Sequence, residues 1–278
     1  MDMHTADRHT DDDVAIVFVH GYMGFGELRW WPDSLAFFRG VRTALRDFNL
    51  PLYFPQMPRG KSVRDHAQRL ADYVYGLPQK NIYLVGYSMG AIDARYFIHH
   101  FDPEHRVKKL TTVAGAHGGT YLAEWALSTE GPLQWFVRLA SRSSLLDLTR
   151  EAGERFNKEL KNRDDIEYRS YACVRPVRDL PLVLRFFANR LYKVSGANDF
   201  MIPLTAARWM NFQGVLQSDH MEVIGWSFGL PSVRKKRPFN HRLLYREIVQ
   251  QMLQPDFQST LASVTASQSK ANAISINN

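Results

Sequence analysis

The sequence predicts an α/β fold in which a mostly parallel central sheet carries helices on both faces. Three observations lead there. Short apolar, β-branched runs alternate with segments of helical spacing along most of the chain. One of those runs, Ile82-Tyr83-Leu84-Val85, passes through Gly86-Tyr87-Ser88-Met89-Gly90 straight into a helical segment, Ala91 to His100. The 278 residues, 45% of them hydrophobic, are enough for one full core.

Residues 1–13 are polar and acidic and read as a disordered N-terminal segment. Val14 to Val19 is a short apolar run of the kind a buried strand needs, and the glycine-rich loop His20-Gly21-Tyr22-Met23-Gly24-Phe25-Gly26 follows it. From Ser34 to Asp47, Leu35, Phe38, Val41, Ala44 and Leu45 recur at helical spacing. Leu52 to Phe54 reads as another short strand, and Val63 to Tyr75 as a helix bounded by Pro78. Past the serine-bearing strand and its helix, Val107 to Ala114 is a strand ending in Gly115-Ala116-His117-Gly118-Gly119.

Residues of about 120–165 show no strand signal and are expected to form a helical cap or lid insertion. Ile166 to Val174, Leu191 to Val194 and, more weakly, Met221 to Ile224 read as strands. Phe239 to Leu253 closes the pattern as a helix, with Leu243, Leu244, Ile248 and Leu253 on or near one face. The α/β domain is thus expected over residues 14–254. Residues 255–278, rich in Ser, Thr, Ala, Gln and Asn, read as a disordered tail.

Composition narrows the compartment and the partners. No stretch approaches the apolar length of a membrane-spanning helix, and no signal peptide is visible at the N-terminus. Cys173 is the only cysteine, so no intramolecular disulfide can form, and its place in an apparent strand suits a packed small hydrophobe. A cytoplasmic location fits, with export by another route left open. The net charge of +7 leans toward acidic partners, and Arg234-Lys235-Lys236-Arg237 is the densest basic run. No nucleic-acid motif or interleaved aromatic platform accompanies that run. A solvated loop or peripheral contact with an anionic membrane surface is expected in preference to nucleic acid. Oligomeric state has no signature here.

The chemistry centres on Ser88. In Gly86-Tyr87-Ser88-Met89-Gly90 a strand turns sharply into a helix, which lifts the serine oxygen above the sheet edge as a nucleophile elbow. The flanking glycines fit the steric need, because a Cβ two residues away would meet the neighbouring strand or helix. The helix N-terminus beneath supplies amides and a positive dipole end where negative charge must develop. A serine hydroxyl needs a base, and the base needs an orienting acid.

His220, in the late polar loop Ser218-Asp219-His220-Met221-Glu222, is placed where a base belongs, and Asp199 about twenty residues earlier is the acid. Asp219 and Asp179 compete for the second role, the first being too close along the chain to face the imidazole. His99 and His100 lie at the far end of the elbow helix and read as cations near a helix C-terminus. Met89 N–H is one expected oxyanion donor, and Tyr22, just past His20-Gly21, is the other.

With these residues in place the chain resembles the bacterial triacylglycerol lipases of the α/β-hydrolase superfamily. The likeness runs from about Val14 to Leu253. It rests on His20-Gly21-Tyr22-Met23-Gly24-Phe25, on the elbow, and on Leu110 to Thr120. It continues through Leu148-Thr149-Arg150-Glu151-Ala152-Gly153-Glu154-Arg155-Phe156-Asn157, Asn198-Asp199 and Asp219-His220-Met221-Glu222.

The resemblance implies the α/β-hydrolase fold, Ser88, Asp199 and His220 as a triad, Tyr22 and Met89 as oxyanion donors, and an acyl ester or lipid substrate with no cofactor. Departures are the missing signal peptide and disulfide, and Tyr87 and Met89 within the elbow. The calcium site common in that family is also altered: Glu222 would replace an aspartate ligand, and Trp226 stands where glutamine is typical.

Gly131 to Leu148, with Leu133, Phe136, Leu139, Ala140 and Leu146 on one helical face, suits either a mobile lid or a fixed cap. Trp30-Trp31 and Phe37-Phe38 line the pocket in one reading and pack in the core in the other. The expected function is ester hydrolysis through an acyl-enzyme. A thioesterase or acyltransferase with the same triad, and a non-catalytic lipid-binding protein, are the alternatives.

Overall fold

The computed structural model describes residues 13–21, 33, 36–128, 141–227 and 239–254. Among the described residues, six strands form one sheet: β1 (Val14–Val19), β2 (Leu52–Tyr53), β3 (Asn81–Tyr87), β4 (Val107–Val113), β5 (Glu167–Cys173) and β6 (Asn211–Leu216). Their order is β2-β1-β3-β4-β5-β6, and every neighbouring pair is parallel. The chain passes from β1 to β2 on one side and then crosses to β3 on the other. The β1–β3 pair is therefore the point where the strand order reverses, the usual place for a ligand crevice in such sheets.

Both faces of the sheet are covered, which is why β1 reads as an uninterrupted apolar run. Ile16, Phe18 and Val85 point to one side, against Leu45 and the helix α8 (His241–Leu253), which contributes Tyr245 and Ile248. Val17, Leu84 and Leu110 point to the other side, against α2 (Val63–Tyr75) and α3 (Gly90–Phe101), where Leu70 and Phe97 meet them. Helix α2 has the expected bounds because its ends are written locally. Ser62 and Asp65 form a capping box, and Gly76 takes the C-cap.

The remaining helices are α1 (Val41–Ala44), α4 (Tyr121–Ser128), α5 (Arg150–Glu159), α6 (Leu182–Ser195) and α7 (Leu204–Ala207). A helical stretch across 141–147 precedes α5. No described helix is long and apolar enough to cross a membrane.

Three expectations need correction. Leu191 to Val194 is the end of α6, not a strand: Leu184, Ala188 and Leu191 are its buried stripe, a helical spacing that four residues alone do not show. Met221 to Ile224 holds a single 3₁₀ turn, Glu222–Ile224, not a strand. The last strand is instead β6, which lies at the sheet edge and only half-buries alternate residues, so its sequence lacks an apolar run. The helix expected from Ser34 to Asp47 shrinks to α1 and the 3₁₀ turn Arg46–Phe48, with bends and a turn over residues 36–40 and Gly40 at φ 73° before α1. Phe37 and Phe38 are core residues.

Candidate active site

The site is assembled at the carboxyl ends of the strands. Ser88 follows β3 in a left-handed conformation, φ 56°, that a non-glycine residue adopts only when its surroundings impose it. The turn is held from both sides: Ser88 N–H donates to Val113 O at 3.2 Å, and Ser88 O accepts from Ala91 and Ala116 N–H at 3.2 and 3.1 Å. Two glycines make room for it. A Cβ on Gly86 would stand 2.8 Å from Ala91 Cα, and one on Gly90 would run into the Val19 carbonyl.

His220 and Asp199 converge on this turn. His220 Nε2 lies 3.0 Å from Ser88 Oγ, and His220 Nδ1 lies 2.7 Å from Asp199 Oδ2. The other carboxylate oxygen, Oδ1, accepts from Met201 and Ile202 N–H at 2.9 and 2.7 Å. A carboxylate so engaged accepts only, so Nδ1 carries the imidazole proton and Nε2 offers its lone pair to the serine. All three side chains are buried. The peptide chain repeats the link, with His220 N–H donating to Asp199 O at 3.1 Å. Asp199 reaches this place by an unexpected route. It follows helix α6 rather than a strand, in a loop tied to the end of β5 by Arg175 N–H donating to Asn198 O.

The competitors separate cleanly. Asp219 turns back on its own loop, where Oδ1 accepts from Met221 and Glu222 N–H at 3.0 and 2.9 Å. Asp179 sits in an exposed 3₁₀ turn. His99 and His100 are exposed at the C-terminal end of α3. Met89 is the N-cap of α3, directly after the serine. Tyr22, Trp30-Trp31, Arg234 to Arg237 and most of the expected lid lie outside the described residues. Of that lid face, Leu146 is exposed, while its neighbours Leu145 and Leu148 pack inward. Cys173 is buried, and burial pushes its thiol far up, as suits an inert packed group.

Three residues of the site have contacts that the sequence did not assign them. Tyr87 is fully buried beneath His220 and donates its hydroxyl to His220 O at 2.6 Å; burial pushes its pKa far up, so that proton stays in place. Gly21 lies against the serine, and a Cβ there would come within 2.7 Å of Ser88 Cβ. Arg175 pairs with Glu222, two residues past His220, and so straps the Asp199 loop to the His220 loop. Each depends on a partner distant in sequence. The same pairing bears on calcium. Glu222 is held by a guanidinium, and the Trp226 indole, which donates to Phe37 O at 3.0 Å, has no lone pair to offer. These residues do not fit a calcium site.

His20 anchors the loop beside the serine. Its Nδ1–H donates to Gly21 O at 2.9 Å and its Nε2 accepts from Met57 N–H at 3.1 Å, so the ring is neutral. Burial pushes its pKa down to about 4 from 6.5, against the opposing pull of the Gly21 carbonyl. A depressed pKa means that the unfolded chain binds the proton first. The stability His20 contributes is complete above pH 6.5 and is lost as the pH falls toward 4, at about 1.4 kcal/mol per pH unit. Urea midpoints at pH 7 and pH 5 should therefore show a smaller acid loss for His20→Gln than for the wild type. An equal loss would show that His20 does not titrate in that window.

No family model matches the chain, and no curated protein matches it in sequence. Solved structures do. The chain is similar to a metagenomic carboxyl esterase, with a TM-score of 0.69 at 20% identity over 88% of this chain and 77% of that one. It is similar to Staphylococcus hyicus lipase, with a TM-score of 0.66 at 16% identity over 91% and 98%. It is also similar to lipase 1 from Pelosinus fermentans, with a TM-score of 0.66 at 15% identity over 88% and 100%. At such identities the likeness is one of fold. The chain has the α/β-hydrolase fold.

Proposed function

We propose that this chain is a serine carboxylic ester hydrolase of lipase or esterase type, carried by residues 14–254. The observation that carries the reading is the unbroken relay from Ser88 Oγ through His220 to Asp199 on a strained strand-to-helix turn. Ser88 Oγ attacks the ester carbonyl as His220 Nε2 takes its proton. Asp199 holds the tautomer and stabilises the imidazolium. Met89 N–H, joined by Tyr22 N–H, receives the oxyanion. The proton passes to the leaving alcohol, and water repeats the sequence on the acyl-enzyme to release the acid.

A fluorophosphonate tests this directly, because phosphorus captures only an activated serine. The protein should gain one phosphonyl group, located by mass spectrometry on the peptide containing Ser88, and lose p-nitrophenyl butyrate turnover in step. A folded protein that stays unlabelled, or is labelled elsewhere, overturns the reading.

A further inference from the structure

We infer that helix α6 is a docking surface for an anionic phospholipid membrane. The helix divides sharply between its two sides. Leu184, Ala188 and Leu191 face inward, and the first two join Leu180 in a small cluster on Phe200, next to Asp199. The Phe200 ring lies 6.1 Å from that of His220. Opposite this buried stripe, Leu182, Phe186, Arg190 and Lys193 follow one another at i, i+4, i+8 and i+11. Leu182 is 79% exposed, Val183 67% and Phe186 52%, and Tyr192 and Val194 extend the apolar surface. Exposed apolar side chains gathered at one place, and not scattered singly, mark an interaction surface.

The charges say which partner. Leu182–Ser195 holds three cations, Arg185, Arg190 and Lys193, and no carboxylate. Arg185 folds back to donate to Leu180 O and Arg178 O. The Arg190 guanidinium lies 4.8 Å from the Trp125 ring of α4 and 5.3 Å from that of Phe186, and Arg190 Nε makes no hydrogen bond. Neither Arg190 nor Lys193 is paired with a carboxylate among the described residues. Apolar residues toward the helix start and cations toward its end, with aromatic rings between them, match the interface of an anionic bilayer. There apolar groups enter the acyl boundary and cations meet phosphate. The net charge of +7 adds long-range attraction to the same surface. The inference deepens the proposed function, since it places the relay beside the surface that would supply its substrate.

The test separates the two readings by using the full chain with Ser88→Ala, so that binding is read without hydrolysis. This protein should sediment with phosphatidylcholine vesicles that contain phosphatidylglycerol and stay in solution with phosphatidylcholine alone. Arg190→Gln with Lys193→Gln should weaken that binding about twenty-five-fold, each cation counting for about fivefold. Leu182→Ser with Phe186→Ser should weaken it by at least about tenfold. Unchanged thermal midpoints would show that both variants fold. As a control, Lys158→Gln with Lys161→Gln, near the end of α5, should leave binding as it was.

Equal loss in that control would mean diffuse charge attraction and would overturn the assignment to α6. Indifference to phosphatidylglycerol, or no binding to either vesicle, would also overturn it. So would a self-association that Phe186→Ser abolishes in a protein that binds no vesicle, because α6 would then be a contact between copies of the chain.

Discussion

Ser88→Ala should fold as the wild type does and lose ester hydrolysis by at least about three orders of magnitude. The fold is indifferent to the hydroxyl for a specific reason. The turn is held by backbone groups, Ser88 N–H on Val113 O and Ser88 O on two amides, and alanine keeps all of them. The positive φ strains alanine about as much as serine, and the lost contact to His220 is one hydrogen bond, worth about 1 kcal/mol. Rate has no such redundancy. Without Oγ there is no nucleophile, and the imidazole, however well oriented, has only water to activate. The measurement is kcat for p-nitrophenyl butyrate beside a urea-unfolding curve for both proteins. Retained turnover in a folded Ser88→Ala protein would end the assignment of the site.

The legibility of this site in the sequence follows from the distance over which each part acts. The elbow is a local device: strand, glycine, serine, glycine and helix occupy a few consecutive residues, and each constraint acts on its neighbours. Helix α2 was readable for the same reason, its cap and stop standing at its own ends. His220 and Asp199 were reachable through their order along the chain, which a relay of this kind restricts. The support behind them was not. Tyr87 reaches the carbonyl of His220, and Arg175 reaches Glu222, across separations that only the sheet order closes. Strand β6 escaped because an edge strand need not be apolar, and the end of α6 passed for a strand because its three inward residues span eight positions. Asp199 stands after a helix where a strand was expected, although its carboxylate does face His220.

That difference matters for the second large effect, Asp199→Asn, because the loop after α6 decides which way an amide must point. Oδ1 of Asp199 is fixed by two backbone N–H donors, from Met201 and Ile202, and only an oxygen can satisfy them. Asparagine is therefore forced to keep its oxygen there and to turn its NH₂ toward His220. A donor facing Nδ1 drives the ring proton to Nε2, the nitrogen that must be bare to accept from Ser88. The result should be a folded enzyme in the wrong tautomer, with kcat down by about 10³–10⁴. Asp219→Asn is the matching control. Its Oδ1 also accepts two backbone N–H groups, asparagine can keep both, and it is Asp199, not Asp219, that meets the His220 ring, so its rate should stay near that of the wild type. The opposite pattern, an active Asp199→Asn beside an inactive Asp219→Asn, would make Asp219 the orienting acid and would require the His220 ring to turn away from Asp199.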